Sequence, residues 1–289
     1  MTSGLAESYE YCRGIARRRA KNFYYSFMLL DRPRKLAICS IYAFMRKCDD
    51  LSDDSKPGEE AGAEWALEGF RREMEACLGG EFSGDLLWPA FHDTVGRYRI
   101  PAKYFHDMID GVKSDLFRTR FSSFDELHRY CYQVASVAGL SLIHILGFDG
   151  AEALKLAEKC GVAFQLTNIL RDLEEDARRG RIYIPLEDLR RFGVEEEEIR
   201  GGVESHSLAE LLRFEAGRAK EFYVQSRPLL AMIDPSTRAS LWALIEIYRR
   251  LLAKVERSGV GVLRQRVRLS RIEKSCIVLR AMLRAYPAH

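Results

Sequence analysis

The sequence predicts an all-α protein built as a single domain over residues 1–289, and three observations support this. Hydrophobic residues make up 47% and charged residues 30% of the chain, a composition typical of globular proteins. The helix formers Ala, Leu, Glu and Arg dominate, and apolar residues recur at three- and four-residue spacing. No stretch has the composition of a flexible linker between two cores, so a single domain is expected.

Charge and cysteine content exclude several classes of protein. The 45 basic and 42 acidic residues leave a net charge of +3, too balanced for a protein whose main partner is nucleic acid. The seven cysteines form no CxxC pair, so neither zinc nor a disulfide framework is indicated. No signal peptide and no run of eighteen apolar residues is present. We therefore expect a cytoplasmic chain with at most a peripheral membrane contact.

The first third of the chain predicts four helices and one aromatic run. Residues 6–20 form a basic amphipathic helix, and the aromatic run 23–30 follows it. Pro33 suits the first turn of the next helix, which ends before a loop at 53–62 that contains Pro and Gly. Further amphipathic helices cover 64–78 and 85–98.

The remaining helices are predicted from caps and periodicity. One helix opens at Pro101 and reaches Leu116, and a capping box at 123–126 starts a long apolar helix that runs to about Leu146. Asp149 is the predicted cap of the central helix, which Gly180 stops. Three final helices are expected, over 207–230, 236–253 and 268–285.

The central helix carries a row of polar side chains on one face, called here the second polar row: Gln165, Asn168, Asp172 and Asp176. Steps of three, four and four residues place them one above another. The opposite face is apolar, so this row must face a cavity or solvent. Amide and carboxylate oxygens at one-turn spacing are the ligands that magnesium prefers. The row therefore predicts a Mg²⁺ site.

A first polar row of the same design lies upstream: Tyr42, Arg46, Asp49 and Asp53. The loop after it puts these acids at the C-terminal end of their helix, where the helix dipole is negative and acids are unfavourable without a cation. Either row alone could be caps and solvated charge. Two acidic rows on otherwise apolar helices instead favour metal ions with a polyanionic ligand between them.

Basic residues around the second polar row indicate what that ligand is. Arg171, Arg178, Arg179 and Arg181 can bind phosphate oxygens through bidentate guanidinium groups, so carboxylates with arginines suggest a diphosphate. The plainer interpretation is i,i+4 pairing on the surface, such as Glu174 with Arg178. Surface pairing is expected to account for some of these four arginines.

At this point a family resemblance enters. The segments 49–53 and 168–176 resemble the paired aspartate-rich motifs of the squalene/phytoene synthase family, and 165–185 is nearly a signature of it. Four more segments extend the likeness over most of the chain: 21–27, 110–116, 130–135 and 266–270. Asn22 departs from the pattern, since relatives commonly have serine there.

The resemblance implies a single helical bundle of the isoprenoid synthase type with a central hydrophobic cavity. Its implied metal ligands, for Mg²⁺ or possibly Mn²⁺, are Asp49, Asp53, Asn168, Asp172 and Asp176. Its implied catalytic residues are Tyr42, Arg46, Arg171, Tyr183 and Tyr248, the arginines as phosphate clamps and the tyrosines as proton relays or cation stabilisers. Its implied substrate-binding residues are Lys21, Phe23, Phe27, Gln165, Arg181 and Arg266, of which Phe27 would lie on the wall of the hydrocarbon pocket.

The implied activity is the head-to-head condensation of two prenyl diphosphates through a cyclopropylcarbinyl diphosphate. Phe27 and the tyrosines suggest a bulky pocket floor, which favours farnesyl diphosphate and the products presqualene diphosphate or squalene. Only squalene would require NADPH, for which no GxGxxG or P-loop spacing exists. Phytoene synthase, acting on geranylgeranyl diphosphate, is the close alternative. A non-catalytic assembly factor and a diphosphate hydrolase are alternatives of other classes. A monomer or a homodimer is expected.

Overall fold

The computed structural model describes residues 3–20, 22–53, 58–82 and 84–285, except the side chains of Ser3, Asp53, Arg284 and Ala285. Within these residues the chain forms the following α-helices: α1 Ser3–Arg19, α2 Phe23–Phe27, α3 Arg32–Asp53, α4 Glu60–Leu78, α5 Leu87–Tyr98, α6 Lys103–Ser114, α7 Phe124–Cys131, α8 Val137–Leu146, α9 Glu152–Arg178, α10 Leu186–Phe192, α11 Glu196–Gly201, α12 His206–Gln225, α13 Leu229–Met232, α14 Arg238–Ser258 and α15 Arg271–Ala285. The predicted all-α fold is confirmed. The described residues contain no strand, only one isolated antiparallel bridge between Phe148 and Ile233.

One predicted helix is interrupted. The apolar helix expected from the capping box to Leu146 is α7 and α8 joined by a π-helical turn, Tyr132–Ser136. Its start is as predicted, since Ser123 accepts a hydrogen bond from the backbone N–H of Glu126. The turn lies where α9 approaches closely: a Cβ atom on Gly161 would be 2.5 Å from Cα of Ser136. Periodicity cannot reveal a single widened turn, because the flanking residues keep their helical pattern.

The start of α9 also corrects a prediction. Asp149 does not cap this helix, whose N-cap is Ala151 without a side-chain bond. Instead, the Asp149 N–H donates to the carbonyl of Met232, and the Asp234 N–H donates to that of Gly147. The residues before α9 therefore pair with the segment after α13. At the other end Gly180, with φ of 76°, follows the last turn of α9 as predicted.

The core consists of two apolar clusters, and α9 contributes to both. Its N-terminal half buries Ala153 and Leu156 in the first cluster, and its second half buries Leu166 and Leu170 in the other. Four partly buried side chains pack against both clusters: Phe23, Leu142, Phe164 and Ile245. Three of these, all but Ile245, line the cavity described below, which therefore lies where the two clusters meet.

Two further features of the structure concern its cysteines and the apolar character of its helices. All seven cysteines are free, and all except Cys276 are buried, in agreement with the absence of a predicted disulfide framework. Among the described residues, no helix is both long and apolar enough to cross a membrane.

Candidate active site

A cavity of about 290 Å³ is lined by side chains from seven of the helices and from the segments that adjoin them. Its apolar wall is formed by Phe23, Phe27, Ile38, Ile41, Met45, Met108, Val112, Val134, Ala135, Ala138, Gly139, Leu142, Ile145, Phe164 and Leu244. Its polar lining is formed by Tyr42, Arg46, Asp49, Asp115, Tyr130, Gln165 and Asn168. Members of both polar rows therefore face the same apolar space, although about 120 residues separate them in the sequence.

The first polar row lies on the last three turns of α3. Tyr42, Arg46 and Asp49 line the cavity, whereas the side chain of Asp53 lies outside the described residues. Arg46 forms an ion pair with Asp50 one turn ahead, and Arg19 also reaches Asp50 at 3.5 Å. Arg46 is thus held by Asp50, and it lines the cavity together with Asp49.

In the second polar row, Gln165 and Asn168 line the cavity directly. The Asn168 amide donates to Oε1 of Gln165 at 3.3 Å. Its Oδ1 is buried and accepts no hydrogen bond from any described residue. A buried carbonyl oxygen is rarely left unsatisfied, so this atom suits a ligand such as a cation.

Asp172, the next member of the row, lies between two arginines. Nε of Arg171 is 2.8 Å and Nε of Arg266 is 2.7 Å from Oδ1 of Asp172. Arg266 also contacts Glu175 at 2.7 Å. Burial lowers the pKa of Arg171, but the hydrogen bond and charge of Asp172, together with Tyr248 and Asp176, outweigh it and raise this pKa above its ordinary value. Arg171, a predicted phosphate clamp, and Arg266, a predicted substrate-binding residue, are therefore both fixed beside a predicted metal ligand.

Asp176 is affected by the repulsion between neighbouring acids on one helix. Burial, followed by the charges of Asp172 and Glu175, raises the pKa of Asp176 to about 7. No three His, Cys, Asp or Glu side chains of the described residues converge into a preformed metal centre. These donors suit Mg²⁺, which typically takes one or two carboxylates and completes its shell with substrate phosphates.

The other arginines near this row differ in role. Arg178 pairs with Glu174, and Arg179 contacts Glu175 at 3.5 Å; both arginines are exposed, as the surface-pairing interpretation expected. Arg181 is half-buried instead, and its charge opposes the upward pKa shifts of Asp176 and Tyr183. Arg179 opposes the shift of Asp176 as well, but it is exposed, whereas Arg181 is half-buried.

Tyr248 lies behind the cavity wall. Its ring stacks on Phe164 with centroids 4.3 Å apart and lies 5.4 Å from Phe23, and both neighbours line the cavity. Burial raises the pKa of Tyr248 to about 12, while nearby Arg171 opposes the shift. The tyrosine thus supports the aromatic wall and meets the polar groups of α9.

Sequence reasoning missed a carboxylate with two tyrosine donors. Tyr130 donates to Asp115 at 2.8 Å and Tyr183 donates to the same carboxylate at 3.1 Å, while the two tyrosine rings stack at 5.3 Å. Of the three, only Tyr183 was a predicted site residue. Asp115 and Tyr130 both line the cavity. Segments 110–116 and 130–135, which extend the family resemblance, contain Asp115 and Tyr130. These residues could have been considered as site candidates on that ground.

The hydrocarbon-facing residues complete the site. Phe23 and Phe27 of α2 both line the cavity, and Lys21 lies outside the described residues. The small residues Ala135, Ala138 and Gly139 face the cavity from the π turn and α8. Sequence alone could not separate close helix packing from room for a chain, and the structure shows that these residues border the open space.

An apolar cavity in an all-α bundle, with acidic and basic groups on two of its helices, defines the class of isoprenoid-synthase-like proteins. Residues 16–273 match the family described as squalene/phytoene synthase. The chain therefore belongs to the squalene/phytoene synthase family. Enzymes of this family are prenyltransferases that join two prenyl diphosphates head to head.

Individual relatives cover nearly the whole chain. The 15-cis-phytoene synthase of Synechococcus elongatus is 34% identical over 98% of this chain and 95% of its own length. The phytoene synthase of Arthrospira platensis is 35% identical over 97% and 94%. Among solved structures, a dehydrosqualene synthase in complex with ligand has a TM-score of 0.89 with 29% identity over 98% of both chains.

Proposed function

We propose that this protein condenses two molecules of geranylgeranyl diphosphate head to head and releases phytoene. The observation that carries the proposal is the shared cavity, in which Asp49 of α3 and Asn168 of α9 face one apolar space. The relatives named phytoene synthase, at 34% and 35% identity, favour the phytoene alternative over the squalene preference drawn from Phe27. The wall of Ala135, Ala138 and Gly139 supports a longer prenyl chain.

The diphosphates would bind between the two polar rows. Asp49 and Asp53 would hold Mg²⁺ on one substrate and Asn168, Asp172 and Asp176 on the other, and the metal would neutralise the leaving diphosphate. Arg171 and Arg266 would exchange the carboxylate of Asp172 for phosphate oxygens. Arg46 would do the same with its partner Asp50.

The cavity wall would govern the fate of the carbocation. Apolar side chains exclude water, which would otherwise trap the cation as an alcohol. The ring faces of Phe23 and Tyr42, 6.3 Å apart, offer electrostatic stabilisation. The hydroxyls of Tyr130 and Tyr183 are oriented by Asp115, which provides an acceptor for the proton that the condensed product loses.

The decisive experiment supplies the protein and Mg²⁺ with geranylgeranyl diphosphate, farnesyl diphosphate, or an equimolar mixture, each with and without NADPH. Lipid products and released diphosphate are both quantified. We expect phytoene to dominate and to form equally without NADPH. An Ala138→Phe variant should shift the preference toward farnesyl diphosphate, because its side chain would fill the cavity.

Three results would overturn the proposal in different ways. Faster turnover of farnesyl diphosphate, with squalene formed only when NADPH is present, would restore the squalene interpretation. Release of diphosphate together with a prenyl alcohol alone would indicate a hydrolase. Release of no diphosphate from either substrate would favour a non-catalytic binding protein.

A further inference from the structure

The last helix, α15, exposes a continuous apolar stripe. Ile272, Cys276, Leu279 and Leu283 follow one another at steps of four, three and four residues, so they share one face. Ile272 is 76%, Leu279 58% and Leu283 67% exposed, and Cys276 is also exposed. The opposite face is buried through Ile277, Val278 and Ala281. The helix is thus apolar on two sides, only one of which packs on the protein.

Positive charge is concentrated around this stripe. Residues 264–285 contain seven basic residues and one acidic residue, whereas the whole chain has a net charge of only +3, so the rest of the chain is net negative. Arg268, Arg271 and Arg280 are exposed and form no ion pair with any described residue. The single acid, Glu273, is already paired with Lys254 at 2.9 Å.

We propose that the exposed face of α15 is an interfacial helix that docks the protein on an anionic lipid surface. Leucine and isoleucine side chains would enter the boundary between headgroups and acyl chains, while the arginines contact lipid phosphates. A second copy of the chain fits less well, because an isologous contact through this face would bring two arginine-rich surfaces together. The proposal does not depend on which prenyl chain is used.

The position of α15 links the proposed lipid contact to the cavity. The ammonium of Lys274 lies 4.9 Å from the ring centroid of Tyr25, which joins α15 to α2. Phe23 and Phe27 of α2 line the cavity, and Arg266, beside Asp172, lies five residues before α15. A docked α15 would hold the cavity wall close to the lipid, into which a hydrocarbon product can partition.

Vesicle sedimentation with the full chain tests this proposal. The vesicles consist of phosphatidylcholine alone, or of phosphatidylcholine with roughly one third phosphatidylglycerol, because anionic headgroups attract exposed arginines. We expect the wild type to bind the anionic vesicles, and to bind less as salt increases. Leu279→Gln with Leu283→Gln should weaken binding to anionic vesicles by roughly tenfold or more, because two apolar side chains no longer enter the lipid.

Two comparisons make the test specific. Val224→Gln removes an apolar side chain that is 69% exposed on α12, and it should leave binding unchanged. Arg271→Gln with Arg280→Gln should abolish the preference for anionic vesicles. Diphosphate release in detergent solution should be equal in all variants, which shows that each is folded.

Absence of wild-type binding, or equal loss in the Val224→Gln control, would overturn the proposal. So would a wild-type dimer in solution that the leucine variant converts to a monomer without any change in vesicle binding, because the stripe would then contact a second copy.

Discussion

At the scale of single residues, Asp172 connects three charged residues of the candidate site. It accepts from Arg171 at 2.8 Å and from Arg266 at 2.7 Å, and its charge helps to raise the pKa of Asp176 to about 7. One carboxylate therefore holds two arginines that are proposed to bind phosphate, and it adds to the effect of burial on the pKa of a proposed metal ligand. Its removal should affect all three.

Asp172→Asn should lower kcat by at least about 100-fold, a loss comparable with the removal of one transition-state electrostatic contact. The Mg²⁺ concentration for half-maximal activity should rise as well, because a metal ligand loses its charge. Steady-state kinetics across a Mg²⁺ titration measures both. Glu174→Gln is the matched control, since Glu174 pairs only with the exposed Arg178 among the contacts described above. Near-wild-type activity of Asp172→Asn would contradict its proposed role.

Asp115→Asn should reduce turnover by about 100-fold, within the range for losing a positioned proton acceptor. Tyr130 and Tyr183 donate to different oxygens of Asp115, and asparagine replaces one of these oxygens with an NH2 group, which cannot accept, so one of the two donations is lost. Product analysis should show a larger share of incompletely converted cyclopropyl intermediate. The control is Asp110→Asn, which removes a carboxylate paired with Arg71 on the outer side of α6. Equal effects of the two substitutions would exclude a specific role for Asp115.

The residue scale also shows what the sequence could reveal. Asn168, Asp172 and Asp176 could be placed on one face from helical spacing alone, because the contacts involved are local. Asp115, Tyr130 and Tyr183 could not be grouped that way, since up to 68 residues separate them and only tertiary packing brings them together. Helical spacing also could not show that Asp172 would be bound by Arg266, 94 positions further along the chain.

At the scale of elements, the π turn between α7 and α8 is the clearest departure from a regular helix. Gly111 and Gly161 approach it from two neighbouring helices, and a Cβ atom on Gly111 would lie 2.8 Å from Cβ of Gln133. Val134 and Ala135 within the turn line the cavity. The existence of the helices could be predicted from periodicity, but this turn could not, because it depends on which helix packs against it.

Gly161→Ala should destabilise the protein by about 1–3 kcal/mol, since its new methyl group would lie 2.5 Å from Cα of Ser136 and force the helices apart. Denaturant unfolding measures the change. Gly217→Ala offers a comparison, because Gly217 lies inside α12 with nothing within 4 Å of its Cβ position. That substitution should be stabilising by about 0.5–1 kcal/mol. A neutral Gly161→Ala would show that the contact is easily relieved.

A buried charge cluster joins α10 to α12 and gives a pH-dependent stability. Arg218 contacts Asp188 at 2.8 Å and Glu215 at 2.9 Å, and its guanidinium lies over the ring of Phe124. Both carboxylates are buried, so two acids share one cation. Burial, opposed by Arg218 and aided by Asp188, raises the pKa of Glu215 to about 8.

The folded protein should therefore keep a proton on Glu215 at pH values where the unfolded chain has lost it, so stability falls as pH rises from about 5 to 8. Glu215→Gln should flatten this decline by up to about 1.4 kcal/mol per pH unit. Urea unfolding at several pH values gives the slopes. Glu221→Gln, which removes an exposed acid from the same helix, should retain the wild-type slope. A steeper decline in Glu215→Gln would contradict the inferred sign.

At the scale of the whole molecule, the cavity lies where the two apolar clusters meet, and Phe23, Leu142 and Phe164 pack against both. A ligand in the cavity would contact both halves of the core. Binding should therefore stabilise the global fold rather than one helix, because only the folded state brings the two clusters together around it.

Thermal unfolding should show this coupling. A thiolodiphosphate analogue of geranylgeranyl diphosphate binds without losing its diphosphate group as a carbocation forms. With Mg²⁺ it should raise Tm by several degrees, since a ligand at about 100 times its Kd stabilises by about 2.7 kcal/mol. The analogue alone and Mg²⁺ alone should each raise Tm only slightly, and the sum of these two shifts should be smaller than the shift with both together. Inorganic diphosphate with Mg²⁺ tests the contribution of the tail. An equal shift by the analogue without metal would argue against metal-bridged binding.

The ion pairs of Asp172 with Arg171 and Arg266, and of Asp50 with Arg46, have a consequence for substrate entry. In the structure without a ligand, these arginines are therefore already paired with carboxylates of their own helix or of a neighbouring acid. Binding of a magnesium diphosphate would then be an ion exchange, in which the acids would hold the metal and the guanidinium groups would hold the phosphate oxygens. Such an exchange would keep both the electrostatic cost of the unliganded site and the gain on filling it moderate, and product diphosphate would leave by the reverse exchange.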